Sequence, residues 1–190
     1  MFYDCNKLTS IDLSSFDTSN VTSMWGMFYG CYRLTTLDLS NFDTSNVKNM
    51  NYMFSDCNSL TTLDLSNFNT SNVTDMSFMF RNCSSLTTLD LSNFDTSKVT
   101  SMNAMFSDCY NLTSLDLSSF DTSKVFSSDM DYMFSNCSSL TSLDLSSFDT
   151  SEITNMMNML DSCFNLTTIN GIIDMKPCES CSNMFTECYK

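Results

Sequence analysis

The stretch Leu34–Val47, LTTLDLSNFDTSNV, is written again with few changes from Leu60, Leu86, Leu112 and Leu140. Cysteines follow the same period, at positions 5, 31, 57, 83, 109, 137 and 163, with five intervals of 26 residues and one of 28. Repeats of this length are typical of solenoids, in which each copy forms one coil and buries its apolar side chains against the next copy. The sequence therefore predicts a repeat solenoid.

Two apolar periods divide each copy. Leu37 and Leu39 alternate with polar residues, which is the two-residue period of a half-buried strand. Val47, Met50 and Met53 are then spaced three apart, which favours one face of a short α- or 3₁₀-helix. The predicted core consists of the columns headed by Leu34, Leu37, Leu39, Phe42, Val47, Met50 and Phe54.

The recurring pattern LDLSxFDTSxVxxMxxMFxxC resembles the 26-residue leucine-rich repeats of the BspA-type surface protein family, and it covers the chain from Met1 to about Thr168. The resemblance implies a leucine-rich-repeat solenoid in a microbial surface or secreted protein, often one linked to attachment. Together with the two periods, it predicts an α/β repeat solenoid: a right-handed coil with a parallel sheet on one face and short helices on the other. The family pattern contains no catalytic residues, so none is assigned.

The chain is expected to form a single leucine-rich-repeat solenoid of about seven coils over residues 1–190. Residues 164–190 form a degenerate last repeat, since Asn170 and Gly171 replace the expected Asp and Leu, and Pro177 is a turn former. This segment is interpreted either as a C-terminal cap or as the start of another module.

Composition restricts the function. The 22 acidic and 8 basic residues give a net charge of −14, which argues against a nucleic-acid partner. The absence of His removes the commonest general base, and no enzyme activity or cofactor is predicted. No apolar run has the length of a membrane span, and the opening MFYDCNKL lacks the parts of a signal peptide. This leaves two interpretations, a cytosolic protein and a fragment whose export signal lies elsewhere, and a cell-surface or secreted protein is preferred. The first copy is incomplete, which indicates either a fragment of a longer array or an end that docks on another structure.

One polar column is a candidate partner-binding surface. The strand period places one Asp and one flanking hydroxyl of each copy on the outer face of the sheet. The eight residues are Asp38, Asp64, Asp90, Asp116, Thr36, Thr62, Thr88 and Ser114. One interpretation is a binding surface for a cation or a basic partner, such as a host extracellular protein; the other is a solvated face copied with the repeat. Repulsion within the column predicts that the pKa values of its carboxyl groups are raised.

Further columns are interpreted as structural. Asp43 and its equivalents Asp17, Asp95, Asp121 and Asp149 are expected to cap helices. Phe42 stands where many leucine-rich repeats place Asn, so no asparagine ladder is expected, and Thr44 and Ser45 should satisfy the turn backbone instead.

Two interpretations of a variable column are open, contact with a partner and packing between helices, and packing is preferred. A second variable set just after each Cys should be exposed. The packing column contains Trp25, Tyr52, Phe78, Ala104, Tyr132 and Asn158. The exposed set contains Tyr32, Tyr110 and Phe164.

Cysteine occurs ten times. The cysteines that recur once per copy occupy an apolar position, which predicts a column of reduced, buried thiols. The motif CESC leaves three interpretations open: core packing, a disulfide of Cys178 with Cys181 or with Cys188, and a zinc site. Core packing is preferred, and no metal ligand is assigned.

The sequence thus predicts a non-enzymatic protein-binding or adhesion module of a microbial cell-surface or secreted protein. The alternative function is a structural spacer that displays another domain and associates end to end with further copies through its open ends.

Overall fold

Successive repeats stack as the coils of one solenoid in the computed structural model, which describes residues 1–126, 129–176 and 178–188. Backbone hydrogen bonds join residues about one repeat apart: the amide of Met50 donates to the carbonyl of Asp75 at 3.0 Å, and that of Met76 to Ser101 at 3.1 Å. The predicted repeat solenoid is confirmed. Its hand and its division into about seven coils stay predictions, and two residues of the 28-residue interval, at positions 127 and 128, lie outside the described residues.

The leucine side of each coil shows the predicted alternation. Leu37 and Leu39 are buried, whereas Asp38 between them and Ser40 after them are exposed. The buried leucines turn their side chains into the solenoid, so the polar residues are left on its surface.

The sheet on this side is shorter than predicted. In the part of the chain that the structure describes, two strands are regular: β1, Ser142–Asp144, pairs in parallel with β2, Thr168–Asn170. Some other coils are joined here by isolated backbone hydrogen bonds, such as that from the Thr113 amide to the Thr87 carbonyl at 3.1 Å. The leucine side is therefore an extended surface with a small regular sheet at one end.

The methionine side is not helical, which corrects the predicted helical face. It consists of successive four-residue turns: the amide of Met53 donates to the carbonyl of Met50 at 3.1 Å, and Tyr52 between them has a φ of 58°. Such a left-handed residue is required at the third position of a type II turn and interrupts a right-handed helix. No helix among the described residues is long and apolar enough to cross a membrane.

Hydrogen bonding between coils explains why turns form instead of a helix. On the methionine side, every second amide donates to the next coil, whereas in an α-helix these amides would bond within their own segment. In one coil the donors are Met50, Tyr52, Phe54 and Asp56, with distances of 2.8 to 3.0 Å. The three-residue apolar spacing suits both structures, because successive turns also bring every third side chain inward.

Left-handed residues recur in two columns along this side. The first contains Gly26 and then Tyr52, Phe78, Ala104, Tyr132 and Asn158, with φ between 50° and 60°. The second immediately precedes the cysteines and contains Asp4, Gly30, Asp56, Asn82, Asp108, Asn136 and Ser162. Most of these positions are not glycine, so the turn geometry is imposed by the stacked coils rather than by a local preference of the residues.

A column of buried threonines links neighbouring coils. The Thr44 hydroxyl accepts a hydrogen bond from the Asn69 amide at 2.8 Å and donates one to the Asn69 carbonyl at 3.0 Å. The same pair of bonds is made by Thr18, Thr70, Thr96 and Thr122. This confirms the prediction for Thr44, whereas Ser45 donates its amide to the Asp43 carboxylate at 2.9 Å.

An asparagine ladder is present, so its expected absence is wrong. The side-chain amide of Asn41 donates to the carbonyls of Leu13 and Phe16 in the previous coil, at 3.0 and 2.9 Å. Asn67 and Asn93 repeat these bonds. The ladder lies one residue before the Phe42 column, because the Phe side chain points into the core while the preceding side chain lies over the turn.

The core runs continuously through the described coils, and the predicted columns are buried in it. At its centre, phenylalanine rings from successive coils stack with centroids 5.7 to 5.8 Å apart and planes within 11°. The stacked rings are Phe2, Phe28, Phe54, Phe80, Phe106 and Phe134. Each coil therefore contributes one ring to this stack, and equivalent rings of neighbouring coils lie at a nearly constant distance.

The last copy departs from the others. The three side chains of β2 are exposed, and Gly171, at φ 100°, lies so close to the previous coil that a Cβ would be 2.6 Å from the Leu145 carbonyl carbon. The threonine column nevertheless continues, since the Asp174 amide donates to the Thr150 hydroxyl at 2.7 Å. Pro177 lies outside the described residues, and the interpretation of this segment as a cap or as the start of another module stays a prediction.

Candidate functional site

The predicted partner-binding column lies on the leucine side. All eight of its residues are exposed: Asp38, Asp64, Asp90, Asp116, Thr36, Thr62, Thr88 and Ser114. Each coil contributes one carboxylate and one hydroxyl, on either side of a buried leucine, so the stacking of coils brings the eight residues onto one face. Their role in binding a partner stays a prediction.

Each carboxylate of this column is held by the serine two residues later. The Oδ1 atom of Asp38 accepts a hydrogen bond from the Ser40 amide at 3.0 Å, and the equivalent bonds of the other three carboxylates are 2.9 to 3.0 Å long. The side chain and amide of Ser40 lower the pKa of Asp38 from its ordinary value, and the charge of Asp12 raises it by less. The pKa values of Asp64, Asp90 and Asp116 are lowered in the same way. The prediction of raised values is wrong, because bonds to the charged form outweigh repulsion across solvent.

The second acidic column also stabilises turns. Oδ1 of Asp43 accepts from the Ser45 amide at 2.9 Å, and this serine, through its side chain and its amide, lowers the Asp43 pKa. Asp17, Asp95, Asp121 and Asp149 make the same contact. The predicted helix caps are therefore Asx-type turns, in which a carboxylate closes a loop onto an amide two residues on.

Five aromatic side chains form a continuous strip on the methionine side, here called the aromatic strip. Its members are Tyr3, Trp25, Tyr29, Tyr52 and Phe78. The Tyr3 ring stacks on Trp25 at 5.5 Å and on Tyr29 at 4.6 Å, Tyr29 meets Tyr52 edge-on at 5.8 Å, and Tyr52 stacks on Phe78 at 4.5 Å. Tyr3 is 50% exposed and Trp25 is 52% exposed.

The prediction that this variable column packs holds for only part of it. Ala104 and Asn158 are buried, and Tyr52 and Phe78 are partly buried, but Trp25 and Tyr132 are exposed because no helices lie beside them. The predicted exposure of Tyr32, Tyr110 and Phe164 is confirmed.

Beyond the aromatic strip lies a cavity of about 520 Å³, here called the notch. Ala104 forms its base, and Phe78 and Tyr132, from the coils on either side, are among its lining residues. Phe78, Ala104 and Tyr132 occupy the same left-handed column position in three successive coils. The notch is therefore the place where a small side chain interrupts a column that otherwise carries rings.

A hydrogen-bonded network borders the notch. The Arg81 Nε atom lies 3.5 Å from Oδ2 of Asp108, and Oδ1 of Asp108 accepts from the side-chain amide of Asn136 at 2.8 Å. Tyr110 also donates its hydroxyl to Asp108 at 3.1 Å, and Asp161 lies on the notch lining. These bonds hold the polar side chains in place before any ligand arrives, so the site combines aromatic surface with preorganised hydrogen-bonding groups.

The repeating cysteines are structural. Cys57, Cys83, Cys109, Cys137 and Cys163 are buried free thiols, as predicted, and each donates its S–H to a carbonyl of the previous coil at 3.1 to 3.2 Å. Burial raises the pKa of these thiols, as it raises that of Cys31 to about 11. Low thiolate content makes a nucleophilic role for them unfavourable.

The CESC motif forms a disulfide between Cys178 and Cys181, so the preferred interpretation of plain core packing is wrong and one of the two disulfide alternatives is correct. Cys188 is a free thiol that donates to the Leu160 carbonyl at 3.0 Å, so it continues the repeating column. In the described ranges, no group of three or more His, Cys, Asp or Glu side chains is arranged to hold a metal ion.

Sequence reasoning missed the notch. The signal was present, because Ala104 is the one small apolar residue in a column that reads Tyr, Phe, Ala, Tyr from residue 52 to residue 132. Interpreting this column as helix packing hid the signal, since a small residue between helices would simply be covered by its neighbours.

The chain matches the family model described as "Mycoplasma protein of unknown function, DUF285" in two overlapping parts, residues 1–108 and 82–190. No curated protein matches the chain in sequence.

Three solved structures are similar to this chain, and two of them are described as leucine-rich proteins. The crystal structure of a leucine-rich-repeat protein of T. pallidum (TpLRR) has a TM-score of 0.55 and 19% identity, and the match covers 96% of this chain and 74% of that one. A leucine rich cell surface protein of Faecalibacterium prausnitzii A2-165 has a TM-score of 0.39 and 23% identity, with 77% of this chain and 35% of that chain covered. The functional domain of InlJ from Listeria monocytogenes, which includes a cysteine ladder, has a TM-score of 0.32 and 17% identity, with coverages of 90% and 47%. The first of these likenesses shows that the fold is a leucine-rich-repeat solenoid.

Proposed function

Because the chain belongs to the family described as "Mycoplasma protein of unknown function, DUF285", and folds as a leucine-rich-repeat solenoid, we propose that it is a non-enzymatic module that binds a protein partner at a microbial cell surface. The resemblance of its repeats to those of BspA-type surface proteins supports this function and implies attachment to a host. A solenoid suits the task, since it displays long faces on a continuous core.

The aromatic strip is the observation that carries this proposal. Tyr3 and Trp25 are half exposed although both are large, and they continue into a run of stacked rings. Tyr and Trp are enriched at protein interfaces, where they bury much surface at a small cost in conformational entropy. A row of such rings on the outside of a soluble repeat is therefore suited to contact a partner.

The partner-binding column on the leucine side, which contains Asp38, Asp64, Asp90 and Asp116, is proposed as a second contact region for a basic partner. Its carboxyl groups have lowered pKa values, so they stay charged at neutral pH. Together with a net charge of −14, they would attract a basic surface over a distance comparable to the Debye length. This region should affect the association rate and its salt dependence more than the dissociation rate.

Surface plasmon resonance on immobilised fibronectin, laminin and collagen tests the proposal. We expect one of these proteins to bind, and the double variant Tyr3→Ala/Trp25→Ala to bind it at least about 10-fold more weakly. The variant with Asp38, Asp64, Asp90 and Asp116 all changed to Asn should lose mainly association rate at low salt. Unchanged binding in both variants would contradict a role for either face.

Self-association is the second candidate function. The last copy exposes apolar side chains, with Ile172 87% exposed, Phe185 48% and Met175 43%. Such residues would be covered if another coil stacked on them. Light scattering that shows mass increasing with protein concentration, and no increase for Ile172→Ser, would favour this function over partner binding.

A further inference from the structure

The notch lies where one ring is missing from a column of rings. Where neighbouring coils both carry a ring in this column, as Tyr52 and Phe78 do, the centroids lie 4.5 Å apart. Phe78 and Tyr132 occupy the column two coil steps apart, and the coil between them carries Ala104 at this position. One further ring, supplied from outside, could therefore stack between their aromatic side chains.

The border of the notch indicates what kind of ring this is. Arg81, Asp108, Asn136 and Asp161 surround the aromatic walls with donors and acceptors of both charges. The bonds within the border use only some of the donors and acceptors of these side chains. A purely apolar ring would remove the remaining ones from water, at a cost of about 1–3 kcal/mol for each group left unsatisfied. The occupant should therefore have flat faces that are apolar and a rim that both donates and accepts hydrogen bonds.

We propose that the notch binds a neutral sugar, with its pyranose ring between Phe78 and Tyr132 and its hydroxyl groups on Arg81 and Asp161. The C–H groups of a pyranose face the negative faces of aromatic rings favourably, and the planar guanidinium and carboxylate groups suit neighbouring hydroxyls. A volume of about 520 Å³ is in the range of small-molecule sites. Carboxylates on the border disfavour an anionic sugar. This site is separate from the protein-binding contacts of Tyr3 and Trp25, which lie at the other end of the strip.

Saturation-transfer NMR and isothermal titration with glucose, galactose, mannose, N-acetylglucosamine, maltotriose and chitotriose test the proposal. We expect at least one of these sugars to bind with a millimolar dissociation constant. Ala104→Tyr should abolish binding, because a ring there fills the notch. This variant should still fold, since Tyr52 and Tyr132 occupy the same left-handed position in other coils.

Matched variants separate the notch from the rest of the strip. Tyr132→Ala should weaken binding about 5- to 10-fold by removing one wall, whereas Tyr52→Ala, in the same column but outside the notch, should change it less than about 2-fold. The melting temperature of each variant shows whether it is folded.

Three results would overturn the proposal. The first is that none of the sugars binds at concentrations up to about 50 mM. The second is that a sugar binds equally well to folded Ala104→Tyr. The third is that p-cresol, which represents a tyrosine side chain of a protein partner, binds in the notch more tightly than every sugar; the notch would then be a protein-binding pocket. None of these results depends on whether fibronectin, laminin or collagen binds.

Discussion

Among single residues, one buried threonine per coil uses its hydroxyl to make the hydrogen bonds to the next coil that the backbone of a neighbouring strand would otherwise make. Thr96 is 1% exposed, and its hydroxyl accepts from the Asp121 amide at 2.7 Å and donates to the Asp121 carbonyl at 2.9 Å. Both backbone groups belong to a turn that has no strand partner on that side. Without the hydroxyl they would be partly buried and unpaired, which is an unfavourable state of a polar group.

Thr96→Val should therefore destabilise the protein by about 2–3 kcal/mol, because valine keeps the shape but removes both hydrogen bonds. Thr88→Val, in the same coil but on the exposed leucine side, is the matched control and should change stability by less than about 0.5 kcal/mol. Urea unfolding followed by circular dichroism measures both values. Equal effects of the two substitutions would show that the buried hydroxyl is not needed to pair the turn.

At the scale of the structural element, the methionine side is a series of turns that uses left-handed residues where a helix would use right-handed ones. Ala104 has a φ of 50°, a conformation that costs an L-residue about 1–2 kcal/mol. With a left-handed residue in each turn, successive amides donate hydrogen bonds alternately to a carbonyl of the next coil and to a carbonyl of their own turn. The local strain is offset because, in most of the described coils, four amides of this side then bond to the next coil, as those of Met102, Ala104, Phe106 and Asp108 do.

Ala104→Gly distinguishes this turn from a helix by the sign of its effect. Glycine relieves the left-handed strain but gains freedom in the unfolded chain, so stability should rise by about 0–1 kcal/mol. In a helix the same change would lower stability by about 1 kcal/mol. Ala104→Val is the control and should be clearly destabilising, since a β-branched residue is a true outlier at positive φ. Denaturant unfolding measures both changes, and a loss of stability in the glycine variant would contradict the turn.

For the whole molecule, the exposed and the buried aspartates make the stability of the fold depend on pH in two opposite directions. The two exposed aspartate columns have lowered pKa values in the folded state, so their contribution is present above the ordinary value of 3.8 and is lost as the pH falls below it. Asp131 is only 6% exposed, and burial raises its pKa to about 6. Its contribution is present below 3.8 and is lost as the pH rises to about 6.

These shifts predict a thermal stability that is greatest near pH 4–5 and lower on both sides. Changing Asp38, Asp64, Asp90 and Asp116 to Asn should make the loss of stability in acid less steep, since the second acidic column remains, while the fold at neutral pH is kept. Asparagine can make the same turn, as Asn69 does when it accepts from the Ser71 amide at 3.0 Å. Asp131→Asn should remove the loss of stability that occurs as the pH rises to about 6. It should also stabilise the protein at pH 7 by about 1–2 kcal/mol, allowing for partial screening by solvent. Calorimetry between pH 3 and about pH 8 measures both slopes, and an unchanged profile in either variant would contradict its assignment.

The repeat, the coil and the core could be predicted from the sequence, because a 26-residue period of Leu, Phe, Val and Met can bury its apolar side chains only by stacking copies. The sequence also indicated the outward column at Asp38 and the buried cysteines. That the methionine side is made of turns follows from the stacked coils, since a three-residue apolar spacing is shared by helices and successive turns, and amides bonded to the next coil distinguish the two. The lowered carboxyl pKa values arise within single repeats, because each Asp accepts from the Ser two residues later, in a turn that the strand period did not indicate. The notch at Ala104 depends on which rings lie side by side after the coils have stacked, and this is not a property of any one repeat.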